Sequence, residues 1–229
     1  MDEMMSRLAW MTIKPSVVVD MGCGVGNGAL RLQERYPNAT VIALDSSLPM
    51  IEEARTQSPH CICAVAETLP LADHSVDIIF ANLLLPWHND PQKILSEWRR
   101  VLRPNGLLMF NLLGLDTLQE YRAVFGKNTL PQLVDMHDVG DELLKMGFSD
   151  PVLDVNRYVI RYRSKEKMLF ELQASGMLVD SAVDLNTLEP AIDEAYQVTY
   201  EVIFVHAFGP IGSSSTPGEF KVPLSELKR

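Results

Sequence analysis

Val17-Val-Val-Asp-Met-Gly-Cys-Gly-Val-Gly-Asn-Gly28 decides the architecture. A β-branched run enters a cluster of glycines. Ala29–Tyr36 follows with helical spacing until Pro37-Asn38 stops it. Glycines at such a strand-to-helix turn admit positive φ and let a ligand lie against bare backbone. The dinucleotide fingerprint G-x-G-x-x-G fails from Gly22, because its last position is Asn27; from Gly24 it is met in the form that ends at Ala29. That register leaves Asp20 and Gly22 within the strand and sets a carboxylate beside a pyrophosphate, which is electrostatically wrong.

An acid just ahead of G-x-G-x-G suits a ligand with no phosphate and a positive charge. S-adenosylmethionine is such a ligand, with a sulfonium, an ammonium group and an uncharged adenosine. Asp20 then holds the ammonium, directly or through water. Asp45, ending Val41-Ile-Ala-Leu-Asp45, accepts from both ribose hydroxyls. The competing reading is an ordinary turn in which Asp45 caps the next helix. A nicotinamide oxidoreductase is the rival enzyme class.

Strand and helix signals alternate onward. Strands are expected at Thr40–Leu44, Cys61–Ala66, Asp77–Ala81 and Leu107–Leu113, and helices at Leu48–Gln57 and Pro91–Leu102, with a turn at Pro104-Asn105-Gly106. Repeated strand–helix–strand units predict an α/β fold, a doubly wound, mostly parallel sheet of seven strands with helices on both faces. Beyond Gly114 the spacing predicts helices at Asp116–Phe125, Met136–Met146, Lys165–Ser175 and Leu188–Gln197, a strand at Val152–Tyr162 and an antiparallel closing strand at Thr199–Phe208. A single domain results, 1–229. Helical insertions about 115–135 and 164–197 cap the cleft, and a flexible tail runs over 209–229.

Composition excludes several classes. Of 229 residues, 47% are apolar and 22% charged, ordinary values for a globular chain. Twenty basic against 30 acidic residues give a net charge of −10, unsuited to nucleic acid or an anionic membrane surface. Acids at Asp2 and Glu3, where a secretory signal needs basic charge, leave no targeting segment to read. Cys23, Cys61 and Cys63 cannot pair completely and make no zinc pattern, so neither a disulfide framework nor a metal is expected, and the compartment is cytoplasmic. The Met-rich start reads as an apolar helix face. Five basic residues, Arg157, Arg161, Arg163, Lys165 and Lys167, precede a stretch to Phe220 with no Lys or Arg. Arg99, Arg100 and Arg103 read as a solvated helix end.

Asp20-Met-Gly-Cys-Gly-Val-Gly26 resembles the signature loop of class I S-adenosylmethionine-dependent methyltransferases. Ala66-Glu67-Thr68-Leu69-Pro70 is similar to the loop that lines the adenine. Ser75-Val-Asp-Ile-Ile-Phe-Ala-Asn82 is similar to the fourth strand, whose end flanks the donor methyl, and Arg100-Val-Leu-Arg-Pro-Asn-Gly106 to the turn before the fifth. The resemblance implies cofactor contacts at Asp20, Gly22, Cys23, Gly24, Gly26, Asp45, Ser46, Met50, Val65, Ala66, Glu67, Asn82 and Leu83. Val65 stands where the family usually has an acid, so adenine would rest on its side chain and bond to backbone near Ala66 and Glu67.

A narrower resemblance lies in Asp135–Pro151, in Leu84-Leu-Pro-Trp87 and in Tyr200-Glu-Val-Ile-Phe-Val-His-Ala207, which are similar to the BioC family of malonyl-acyl-carrier-protein O-methyltransferases in biotin synthesis. It implies methyl transfer to the free carboxylate of malonyl-acyl carrier protein, or of malonyl-coenzyme A, leaving S-adenosylhomocysteine. A related complex I assembly factor, an arginine hydroxylase, shares these features, so hydroxylation or methylation of another small acid stays an alternative, as does a scaffold without catalysis. Sixteen residues precede the first strand, which implies a cover over the cofactor shorter than the family's.

An ionised carboxylate needs no general base, so no catalytic residue is assigned. Trp87 is a candidate wall of the transfer pocket. Arg157, Arg161 and Arg163 are candidates to hold the carboxylate; an alternating strand is expected to divide them between its sides, which singles out none. The enzyme is expected to be a monomer and to dock its acidic partner on the Arg157–Lys167 face, with Arg99, Arg100 and Arg103 as further candidates, away from the acid-only stretch Glu171–Glu201.

Overall fold

A computed structural model describes residues 1–122, 131–178 and 196–210. Its elements follow the expected alternation. Helix α1 (Asp2–Ala9) precedes β1 (Val17–Met21), α2 (Asn27–Arg35), β2 (Thr40–Asp45), α3 (Leu48–Ala54), β3 (Cys61–Cys63) and β4 (Val76–Ala81). A short 3-10 turn (Leu85–Trp87), α4 (Pro91–Val101), β5 (Leu102–Leu113), α5 (Met136–Lys145), β6 (Ser149–Tyr162), α6 (Lys165–Ala174) and β7 (Tyr196–Phe208) complete the described chain. The seven strands lie in the order β3-β2-β1-β4-β5-β7-β6. β1 pairs in parallel with both β2 and β4, and β7 runs antiparallel between β5 and β6. The order reverses at β1 and β4, so a crevice opens beyond their carboxyl ends, where open α/β sheets bind ligands.

Alternation along the strands splits the core in two. On one face Val18, Ile78, Phe80 and Met109 pack with α1, α2, α3 and α6. On the other, Val19, Ile79, Phe110 and Leu112 pack with α4 and α5, and the buried Trp98 meets Phe110 edge to face at 5.6 Å. Strands buried on both faces read as unbroken apolar runs, as Val17–Val19 and Ile78–Ala81 do.

Several expectations are corrected. β3 ends at Cys63, which frees Ala64–Ala66 as loop. Pro104–Gly106 lies inside β5 as a kink, with Asn105 at φ 59°, instead of preceding it. Residues 116–121 form turns, not a helix, because their polar groups are taken by β7: the Asp116 N–H and Thr117 hydroxyl bond to Glu201, and Glu120 accepts from Thr199. Tyr196 and Gln197 are strand, paired with Tyr162 and Arg161, so backbone pairing overrides their helical spacing. The rest of the expected helix at 188–197, residues 123–130 of the first cap, 179–195 of the second and 211–229 of the tail lie outside the described residues. The Met-rich start is a helix that buries Met4 and Leu8.

The β6–β7 pair extends past β5. β5 pairs with β7 only from Leu107↔Phe208 to Leu113↔Val202, so Tyr196–Glu201 and their partners on β6 overhang. Six strand residues span about 20 Å. This arm stands over the carboxyl edge of the sheet, beside the crevice.

Candidate active site

The glycine turn is held from below. The Gly22 and Cys23 amides donate to the Leu44 carbonyl at 2.8 and 3.0 Å. Gly26 caps α2 at φ 92°, and a Cβ there would meet the Ala54 backbone at 3.1 Å. Gly24 also has positive φ, but a Cβ there meets nothing within 4 Å. Its open side is the space a ligand can enter. Gly28 serves packing: a Cβ would fall 2.5 Å from Asp20 Oδ2.

Asp45 ends β2 with Oδ2 accepting the Gly24 amide at 3.0 Å and Oδ1 accepting the Ser47 amide at 2.8 Å. It therefore ties the glycine turn to the start of α3 and stays partly exposed. Asp20 is buried, at 2% exposure, and its Oδ2 has no hydrogen-bond partner among the described residues. Burial pushes its carboxyl up to about 7, the Ala29 amide opposes that, and the Asp45 charge adds to it. A buried acid with one oxygen unsatisfied is a site for a cation. This orphaned oxygen, with the open flank of Gly24 and the exposed rim of Asp45, fits the ammonium and ribose of S-adenosylmethionine. Burial drives the Cys23 thiol up to about 12, so it stays protonated and is no nucleophile.

The loop after β3 is clamped in place. Arg100 donates to the carbonyls of Leu69 and Leu71 and to Glu97 and Asp73, and Glu97 accepts the Leu69 amide. Glu67 meets His88 Nδ1 at 2.8 Å, joining this loop to the segment after β4. Burial pushes the Glu67 carboxyl up, but the bond from His88 and backbone amides hold it below its ordinary value. Ala66 is buried, whereas Ser46, Met50 and Val65 are exposed towards the crevice side of β2 and β3.

Two corrections concern the arginines. Arg100 and Arg103 are not a solvated helix end: Arg103 pairs with Asp77, whose other oxygen accepts the Ser16 and Val17 amides at the start of β1. That cluster sits at the amino edge of the sheet, opposite the crevice. Arg157 and Arg161 are not divided by strand alternation. Their partners Glu201 and Gln197 are four apart in unbroken register, so both project from one face of β6. Arg163 lies past the strand.

Beyond Asn82 the chain turns at Leu83, a non-glycine residue at φ 56°. Leu83 and Trp87 line a cavity of about 710 Å³ with Leu113, Tyr200, Val202 and Arg157. Trp87 is 41% exposed, so its indole is a wall and not core. Arg157 Nη2 bonds to Asp116 at 2.7 Å and Glu201 at 3.0 Å, while Nη1 and Nε have no partner among the described residues. The sequence reading missed Asn111, Tyr200 and the Glu67–His88 bond. Asn111, a polar residue in the apolar run Leu107–Leu113, and Tyr200, which opens the stretch that resembles the BioC family, gave a signal. A second cavity, about 590 Å³, lies against α4 and α5 on the other face and contains none of the expected residues.

This topology and cradle define an S-adenosylmethionine-dependent methyltransferase of Rossmann-like fold. A family model described as a methyltransferase domain matches residues 19–110. Among solved structures, a putative methyltransferase from Bacillus halodurans superposes with TM-score 0.68 at 16% identity, over 92% of this chain and all of that one. Phosphoethanolamine N-methyltransferase 2 of Haemonchus contortus, solved with S-adenosyl-L-methionine, gives 0.61 at 17%, over 91% of this chain and 52% of that one. At those identities the likeness concerns fold alone. The malonyl-[acyl-carrier protein] O-methyltransferase of Laribacter hongkongensis is 37% identical over 91% of this chain and 81% of its own length. Its counterpart 1 from Coxiella burnetii is 35% identical over the whole chain and 87% of its own length. The chain belongs to the malonyl-[acyl-carrier protein] O-methyltransferase family. Among the described residues no helix is long and apolar enough to cross a membrane.

Proposed function

We propose that this enzyme methylates the free carboxylate of a malonyl thioester carried by acyl carrier protein. The observation that carries the reading is an apolar cavity lined by Leu83 and Trp87, just past β4, with a single arginine, Arg157, among the residues that line it; β4 pairs with β1, which bears the unsatisfied Asp20, and β1 with β2, which ends in Asp45. Relatives named for this reaction align over nine-tenths or more of the chain.

Asp20, Asp45 and the Gly22–Gly26 backbone would hold S-adenosylmethionine, with adenine against Val65, Ala66 and Glu67 and with Ser46 and Met50 alongside. When bound, the cofactor supplies an electrophilic methyl group. The protein's part is orientation and drying. Leu83, Trp87, Tyr200 and Val202 exclude water from the acceptor carboxylate, which strengthens its nucleophilicity and its attraction to Arg157. Arg157 Nη1 and Nε supply the donors that aim it. Holding two reactants in line lowers the barrier by several kcal/mol, up to about 7–11 in the best cases. No side chain has to remove a proton.

Arg157, Arg161, Lys165 and Lys167 line the arm and its exit, a local basic strip on an acidic chain. It supports docking of an acidic carrier there. Arg100 and Arg103, bonded internally at the far edge, take no part. The test is turnover of malonyl-carrier protein with S-adenosylmethionine, read as the methyl ester by mass spectrometry, with S-adenosylhomocysteine binding measured in parallel. Tight binding with no methylation of either the carrier-bound or the coenzyme A thioester would overturn the acceptor and keep the cofactor.

A further inference from the structure

The residue that ends β4 is oriented from β5. Ala81 pairs with Phe110, so Asn82 falls beside Asn111 one step further on, on the sheet face that carries Phe80 and Leu113. Asn111 is buried, at 3% exposure. The backbone N–H of Leu83, an unambiguous donor, lies 2.6 Å from its side chain. The atom facing that N–H must be Oδ1. Nδ2 of Asn111 therefore points the other way, where it meets Asn82 at 3.0 Å, and the Asn82 atom it meets must be Oδ1. The remaining group of Asn82 is its NH2. No partner receives it among the described residues. Two side-chain amides thus carry the polarity of one backbone N–H to Asn82, whose chain neighbour Leu83 lines the cavity.

We infer that Asn111 is a positioning residue that fixes Asn82 as a hydrogen-bond donor to the acceptor carboxylate. The inference rests on the carboxylate-methylating reading. Turned the other way, Asn82 would present its carbonyl oxygen to an anion. The same bond to Leu83 holds that residue in the left-handed region, which L side chains rarely adopt, and so fixes the cavity wall as well.

The test inverts the relay. In Asn111→Asp one carboxylate oxygen still accepts from Leu83, while the other, an acceptor, turns the Asn82 amide around. At pH 8 kcat/KM for malonyl-carrier protein should fall about 10- to 100-fold, mainly through KM, as expected when a hydrogen bond to a charged group is lost. S-adenosylhomocysteine affinity should stay within about threefold. Lowering the pH until the introduced carboxyl is protonated restores a donor towards Asn82, so much of the loss relative to wild type at the same pH should be recovered, a response that a packing defect does not give. Unchanged turnover, or cofactor binding that falls as far as turnover, would overturn the inference. A readout without turnover uses the wild-type protein: with S-adenosylhomocysteine bound, the Asn82 side-chain NH2 resonances should shift when malonate is added. If they do not, the relay is wrong even where the variant fails to fold. If they shift while no malonyl thioester is methylated, the relay stands and the substrate assignment falls.

Discussion

The crevice has two walls built by different means. The wall proposed for the cofactor, from Val17 to Asp45, is assembled from residues close in sequence: a strand, a glycine turn, a helix and the next strand end. The wall proposed for the acceptor joins Leu83 and Trp87 to Arg157 and Tyr200, residues brought together only by the overhang of β6 and β7. The first wall is locked by backbone bonds between neighbouring strands. The second is locked by side chains, through Arg157 to Asp116 and Glu201, Glu120 to Thr199 and Asn111 to Asn82. Substitutions in the first wall should therefore remove cofactor binding, and those in the second should alter acceptor use with the cofactor still bound.

The largest effect is expected from Asp45→Ala. It removes the acceptor of the Gly24 and Ser47 amides and, on the proposed reading, two ribose bonds, so S-adenosylhomocysteine affinity should drop by roughly 2–4 kcal/mol. Calorimetry checks it, and a smaller loss than that of any acceptor-wall variant would erase the division between the walls.

Asp20→Asn should weaken the same ligand by roughly 1.5–3 kcal/mol. It also carries a pH signature. Burial raises Asp20 from 3.8 to about 7, so between these values the folded protein keeps a proton that the unfolded chain has lost. The contribution of this group to stability is full below pH 3.8 and is lost as pH rises to about 7. Without ligand, Asp20→Asn should melt higher than wild type at pH 8. Binding of a cation needs the ionised form, so wild-type affinity should fall as pH drops below 7, with proton release. A flat wild-type profile would mean that Asp20 does not meet the ammonium.

Arg157→Leu addresses the other wall. Loss of a charge-assisted bond should cut kcat/KM for malonyl-carrier protein by roughly 1.5–3 kcal/mol while leaving S-adenosylhomocysteine binding unchanged. Arg161→Leu, four residues along the same face, should do less. Equal losses would move the carboxylate away from the cavity lined by Leu83 and Trp87.

The smallest effect belongs to Lys165→Glu with Lys167→Glu. Lys167 is exposed and Lys165 half-buried; both should act through the field, so association with the carrier should slow and the deficit should shrink with added salt. Malonyl-coenzyme A should be less affected. Stopped-flow rates at two salt concentrations decide whether the basic arm is the docking face.

The amino-acid sequence by itself determined the alternating architecture, the glycine turn and the two acids, because each is set by local chemistry: β-branched runs, glycine's conformational freedom and a carboxylate at a strand end. It reached as far as Trp87 for the same reason, since that residue follows directly on β4. Tertiary structure alone decided the rest. The choice of Arg157 depends on how far β6 overhangs β5, whereas the common face of Arg157 and Arg161 follows from their spacing of four on an unbroken strand. Arg103 is bound to Asp77, across the sheet edge. Asn111 gains its meaning from lying beside Asn82, an adjacency fixed by the pairing of β4 with β5. Hydrogen bonds between strands set such registers over tens of residues, and no local pattern of side chains encodes them.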